Sequence, residues 1–123
     1  VSVTYSGNVN RRSGGAISLL NVAQQAPEAV TANSNSGLAS ISTNITTLTD
    51  GAWVVDVVGC GNMGSFTTTT SGMVERYGEE NTTSVSSAGS TKPVASAGST
   101  TMSWDHSNAN RLTHSLAAFA PAP

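Results

Sequence analysis

The stretch LASISTNITTLTDGAWVVDVVG, residues 38–59, decides the fold class. In its first half Ile41, Thr43, Ile45 and Thr47 alternate with Ser40, Ser42, Asn44 and Thr46. A period of two puts the first set on one face of a strand and the second set on the other. Asp50-Gly51 follows, a pair that tolerates positive φ and predicts a tight turn between antiparallel strands. Residues 52–58 then make the most hydrophobic strand of the chain, with Trp53, Val55 and Val57 on one face and Val54, Asp56 and Val58 on the other. Cover on both faces is expected, with Trp53, Val55 and Val57 in the core. The two strands are expected to pair as a hairpin, which Gly59, Gly61 and Gly64 bring to an end.

The same alternation recurs outward in both directions. Val1, Val3 and Tyr5 alternate with Ser2, Thr4 and Ser6 as a first strand, and residues 16–22 read as a second, mostly apolar one. Residues 23–37 hold Gln24, Gln25, Pro27 and Glu28, and predict one short helical turn before a polar loop. Thr67, Thr68, Thr69 and Thr70 before Gly72 suggest a strand and turn, and residues 73–77 a further short strand. The Ser/Thr/Gly-rich residues 78–97 read as loop with brief pairing. Residues 99–105 are the clearest strand, with Thr100, Met102 and Trp104 inward and Ser99, Thr101, Ser103 and Asp105 outward. A last strand covers residues 112–120. Roughly eight short strands separated by turn signals predict an all-β protein, an antiparallel two-layer β-sandwich of jelly-roll kind, with a barrel as the alternative. Trp53, Val55, Val57, Met102 and Trp104 are its expected core.

A chain of 123 residues fits one sandwich domain, residues 1–123. Hydrophobic residues at 37% argue against disorder. Charged residues are only 10%, five Lys+Arg against seven Asp+Glu, so no basic stripe exists to neutralise phosphates and nucleic acid is excluded as a partner. No apolar run approaches the roughly 18 residues that span a bilayer, so membrane insertion is not expected. The chain starts at Val1 instead of Met, which fits a processed product. Cys60 is the single cysteine, so no internal disulfide can form. Its neighbours Val57, Val58 and Gly59 favour a buried, inert thiol over an intermolecular bridge.

The chemistry-bearing residues do not assemble into a catalytic pattern. His106 and His114 lack zinc-ligand spacing, and adjacent strand residues such as Asp105 and His106 point to opposite faces. Glu75, Glu79 and Glu80 read as solvated charges and not as the facing carboxylates of a glycosidase. The glycines of residues 59–64 precede no Lys-bearing helix and therefore form no phosphate loop. No catalytic residue, metal or cofactor is expected. Asn44-Ile45-Thr46 and Asn81-Thr82-Thr83 are N-glycosylation sequons, and Thr67, Thr68, Thr69 and Thr70 are candidate O-glycan acceptors. Covalent glycans are thus candidate partners. A sugar-binding platform needs two or three exposed rings, whereas Tyr5, Trp53, Trp104 and Phe119 are assigned to the core and only Phe66 and Tyr77 remain.

Five segments carry a resemblance: WVVDVVG at residues 53–59, GMVERYG at 72–78, AGSTKP at 88–93, TTMSWDHSNANR at 100–111 and LAAFAP at 116–121. Together they resemble a group of secreted bacterial and environmental β-sandwich repeat modules that has no settled biochemical name. The likeness extends weakly to VSVTYSG and GGAISLLNV near the start. It implies additional strands before the one matching residues 1–7, strands that a neighbouring segment would supply. A sandwich short of strands exposes unpaired backbone groups, and strand addition from copy to copy does not close, so it builds a fibre. The function expected is a non-catalytic structural protein, extracellular or on the cell surface, that self-assembles into a filament or surface layer. Copies of the chain are its partners, with Val1, Val3, Tyr5, Leu112, Leu116 and Phe119 at the contact. The alternatives are a carbohydrate-binding module of a larger secreted protein and a phage or virion decoration domain.

Overall fold

The computed structural model describes residues 2–80 and 84–123. Among these the chain is all-β and antiparallel, with six strands: β1 (Ala29–Thr47), β2 (Ala52–Cys60), β3 (Phe66–Thr68), β4 (Val74–Glu80), β5 (Ser86–Val94) and β6 (Gly98–Phe119). The hydrogen-bonded order is β1-β6-β2-β5-β4, with β3 on β6.

Two long strands turn this sheet into a sandwich. β1 and β6 pair along their full length, but the register shifts between Asn35 and Leu38 and again between Leu38 and Ser40. Gly37 sits at this break with φ of 80°, a conformation that a side chain disfavours. Bulges bend strands and raise their twist, so both strands change layer here. Before the bend β1 pairs with residues 112–118 of β6, whose other side carries β2, and β5 and β4 complete a five-stranded layer. After it, residues 40–47 of β1 pair with residues 98–105 of β6, and β3 adds on the far side to make a three-stranded layer.

Apolar side chains fill the space between the layers. Ile41 and Trp104 of the smaller layer pack with Val58, Cys60, Ala88 and Leu112 of the larger one. Ile45 and Met102 pack with Val54, Leu116 and Ala118. Trp104 is fully buried, and an indole of this kind removes some 150–250 Å² from water, worth roughly 4–6 kcal/mol of gross transfer free energy.

Several expectations are corrected. The buried face of β2 is Ala52, Val54, Asp56, Val58 and Cys60. Trp53 and Val55 are half-buried on the opposite face, and Val57 is 45% exposed. The polar Asp56 marks the wrong face as outward, because its carboxylate is fully hydrogen-bonded inside. The Asp50-Gly51 turn forms, but the strands it joins do not pair: β6 lies between β1 and β2. No strand spans residues 2–6 or 16–22, and the latter segment makes only an isolated bridge, Val22 with Pro121. In place of the helical turn and loop, residues 29–35 are strand, and β5 occupies what read as a loop. The two C-terminal strands are one continuous strand of 22 residues.

Candidate functional site

The fold gathers one set of reactive side chains, and it lies between the layers. Asp56 Oδ1 accepts hydrogen bonds from the Ser90 amide and the Ser90 hydroxyl, both at 2.7 Å. Its Oδ2 accepts from Trp104 Nε1 at 2.8 Å and faces His114 Nε2 at 2.9 Å. His114 Nδ1 lies 2.9 Å from Thr43 Oγ1. An acid, an imidazole and a hydroxyl in line have the composition of a nucleophilic triad. Here the hydroxyl has no face to offer a substrate: Thr43 is 5% exposed, Asp56 2% and His114 1%. Four donors saturate the carboxylate, and the bonds to Trp104 and Thr43 tie the two layers together. A second tie joins His106 Nε2 to Ser86 Oγ at 2.8 Å. Sequence reasoning missed this network, although Leu112, His114, Leu116 and Ala118 alternate as one inward face and so required a partner for the imidazole.

The accessible feature is the outer face of the five-stranded layer. Val30, Val55, Val57, Ala117 and Phe119 line an open groove of about 800 Å³, closed on one side by Gly14, Gly15, Ile17 and Tyr77. Val30 is 69% exposed. The glycines and Ile17 belong to residues 2–28, an extended arm laid across this face outside the named strands. At its base the Glu28 amide donates to the Ala118 carbonyl at 2.8 Å, and further contacts hold the arm along its length. Ser13 Oγ lies 2.7 Å from Ser87 Oγ. Tyr77 packs against Gly15 and Gly89 so closely that a Cβ on either would overlap ring carbons. The Ala23 amide donates to the Ala120 carbonyl and the Ala122 amide to the Asn21 carbonyl, each at 2.9 Å.

Electrostatics around the arm follow from these contacts. Burial pushes the Tyr77 phenol above the ordinary tyrosine range and the Asp56 charge adds to the rise, while hydrogen bonds from the Ser87 side chain and Gly15 backbone offset part of it. At the base of the arm burial raises the Glu28 carboxyl, but bonds from Thr49 Oγ1 and the Leu48 and Thr49 amides outweigh it and hold the group below the usual glutamate value. Burial raises the Cys60 thiol, countered in part by the Asn62 backbone.

The candidate assembly residues separate. Val3 and Tyr5 are exposed, at 70% and 47%, in the arm and not in a strand. Tyr5 is therefore no core residue, and the Arg12 guanidinium lies 5.8 Å from its ring centroid. Leu112 and Leu116 are buried in β6, which is paired on both sides, so that stretch offers no free edge. Phe119 reaches the outer groove. Val1 and the sequon at Asn81 lie outside the described residues. Asn44 is exposed on the outer face of the smaller layer and accepts a bond from Thr101 Oγ1 at 2.6 Å. Thr67 and Thr69 are exposed on the other side of β6 from it, while Thr68 and Thr70 are half-buried. Phe66 packs edge-on against Trp104 at 5.9 Å between centroids. Among the described residues no group of three or more His, Cys, Asp or Glu could hold a metal ion, and no helix is long and apolar enough to cross a membrane.

No protein-family model matches the chain, and no curated protein matches it. Among solved structures it is similar to the tripod (BppUct-A-L) from the baseplate of bacteriophage Tuc2009, with a TM-score of 0.43 and 15% identity, over 97% of this chain and 76% of that one. A likeness of that size bears on neither fold nor function.

Proposed function

We propose that the chain is a non-catalytic structural subunit that assembles with copies of itself outside the cell, each copy lending its N-terminal arm to the next. The observation that carries this reading is the open apolar groove beside an extended arm that lies outside the named strands. The arm exposes Val3, Tyr5, Val9 and Leu20, apolar side chains that its own body leaves in water. Every contact that holds it can form equally between two copies, because exchange of an identical element reproduces the same bonds. Reciprocal exchange between two copies closes as a dimer, whereas arms passed from each copy to the next make a heterologous contact that extends as a filament when the rotation does not close a ring. The extracellular placement is supported by the outer face of the smaller layer. Ser40, Ser42, Asn44, Thr46, Thr67, Ser99, Thr101 and Ser103 cover it, with Asp105 as its charge.

Light scattering coupled to size-exclusion chromatography, with negative-stain imaging of the same fractions, tests the proposal. Concentration-dependent oligomers or filaments are expected, and they are expected to be weakened by Val57→Asp in the groove. A monodisperse monomer at millimolar concentration would overturn the reading.

A further inference from the structure

Three of the five Lys and Arg residues of the chain meet at one place. Arg11 and Arg12 of the arm and Arg111 of β6 line a single open pocket of about 440 Å³, beside the end of β2. Among the described residues that line it there is no Asp or Glu. The other two cations are engaged elsewhere: Arg76 Nε donates to Thr91 Oγ1 at 2.8 Å, and Lys92 Nζ to the Thr101 carbonyl at 3.2 Å. None of the three pocket guanidiniums donates a hydrogen bond or joins an ion pair among the described contacts.

The floor of the pocket is backbone. Gly59 lies opposite Thr113, and the Gly61 amide donates to the Arg111 carbonyl at 3.1 Å. Neither glycine has positive φ, and a Cβ at either would meet no atom closer than 3.4 Å. Backbone strain and packing therefore do not demand glycine here, and what the missing side chains leave is room. Over Gly61 the Arg111 guanidinium takes part of it, with nitrogens 3.9 and 4.0 Å from the place of a Cβ. Arg12 is steadied differently, its guanidinium carbon standing 5.8 Å from the centroid of the Tyr5 ring. A ring face engages the plane of a guanidinium and leaves its in-plane N–H donors free. Thr113 adds an exposed hydroxyl.

Like charges facing one space repel, and an oxyanion between them removes the repulsion while accepting from several N–H groups at once. We infer that this pocket binds one oxyanion group, a carboxylate, sulfate or phosphate, either free or carried on a small sugar acid. Three cations confined to one pocket suit a single anionic group and not a run of phosphates. The site does not depend on assembly, because an arm donated by a neighbouring copy would bring the same Arg11 and Arg12 to the same Arg111.

Isothermal titration calorimetry on the full chain tests this. Sodium sulfate, sodium phosphate and sodium glucuronate are the anions, glucose is the neutral control, and sodium chloride holds ionic strength constant. Saturable binding of one anion per chain is expected for at least one of the three salts, and none for glucose. Arg12→Gln and Arg111→Gln are each expected to weaken it about tenfold or more. Arg76→Gln removes the same charge outside the pocket and is expected to leave binding unchanged, with thermal melting reporting that each variant keeps its sandwich. Tighter binding of glucuronate than of the inorganic ions assigns the group to a sugar acid, and the reverse order assigns it to the free ion. If none of the three anions saturates the chain, or if Arg76→Gln weakens binding as much as Arg111→Gln does, the pocket is no anion site. Either result leaves the assembly reading untouched, since light scattering decides that separately.

Discussion

Replacing Asp56 by Asn changes one atom and should cost more than most core truncations of similar size. The amide oxygen can keep both Ser90 bonds, now 2.7 Å each. The new NH₂ then faces Trp104 Nε1 and His114 Nε2, which lie 2.8 and 2.9 Å from Oδ2 in the native chain. His114 can adapt by moving its proton to Nδ1, donating to Thr43 and accepting from the amide through Nε2. Indole has no such freedom, because it is a donor only. One buried N–H is left without an acceptor, at about 1–3 kcal/mol, and the remaining bonds lose the strength that an ionised acceptor gives them, about 1 kcal/mol more. The expected loss is therefore about 2–4 kcal/mol, a large share of the roughly 5–15 kcal/mol that holds a domain together. At about 4 °C per kcal/mol for a chain of this length, the midpoint should fall by roughly 8–16 °C. Urea unfolding measures this, and Trp104→Phe supplies the control. With the indole donor gone, Asp56→Asn should cost about 1–2 kcal/mol less than it does alone. Strict additivity, or a loss below about 0.5 kcal/mol, would refute the claim that the carboxylate is the acceptor that binds the layers together.

Three further outcomes separate the faces and the arm. Val54→Ala, at a fully buried position, is expected to cost about 2 kcal/mol, whereas Val57→Ser on the outer face is expected to stay within about 0.5 kcal/mol in the monomer by urea unfolding. Cys60 should resist a thiol reagent at pH 8 in the native chain and react fully in urea, since burial raises its thiol and keeps thiolate scarce. The raised Tyr77 value means that burial in the folded chain favours the neutral phenol. That contribution is complete below the ordinary tyrosine pKa and is lost as pH rises through the raised one. Absorbance at 295 nm should show one tyrosine titrating late, and Tyr77→Phe should remove it.

How much of this was legible follows from where apolar periodicity exists. Ile41, Ile45, Met102 and Trp104 alternate with hydroxyl residues, and their strands and inward faces could be read directly. The first half of β1 could not, because Asn33 and Asn35 take inward places there, their side-chain N–H groups donating to the Ser42 and Ser40 carbonyls at 2.9 Å while Asn35 Oδ1 is left buried without a partner among the described residues. β5 was hidden for a related reason. Its inward Ser86, Ala88 and Ser90 are small because Trp104 and the Asp56 network fill the space above them, so the strand shows no hydrophobic signal. In β2 both faces are apolar and the single charged residue points inward, so composition selected the wrong side. The hairpin failed for a topological reason: turn chemistry fixes where the chain reverses, not which strand lies beside it, and β6 is long enough to reach between β1 and β2. The arm carried an alternation that read as strands, yet it has no ladder partner except at Val22.

The two open edges of the five-stranded layer are not equivalent, and this bears on the direction of assembly. On the β1 side, Asn33 and Asn35 reach across the bend and occupy the carbonyls of Ser42 and Ser40. The capped carbonyls lie on the β1 edge of the smaller layer, while on the larger layer Asn33 and Asn35 are themselves inward polar residues on an edge, a recognised guard against unwanted pairing. On the β4 side the edge presents Glu75, Glu79 and Glu80 and no amide cap of that kind among the described hydrogen bonds. A neutral strand gains little there, because desolvating three carboxylates opposes it, whereas a segment bearing two arginines removes that opposition. One edge is thus blunted against strands in general, and the other selects by charge. Where arms pass from each copy to the next instead of being exchanged reciprocally, donor and acceptor lie at different places on the molecule, and successive copies add in one direction.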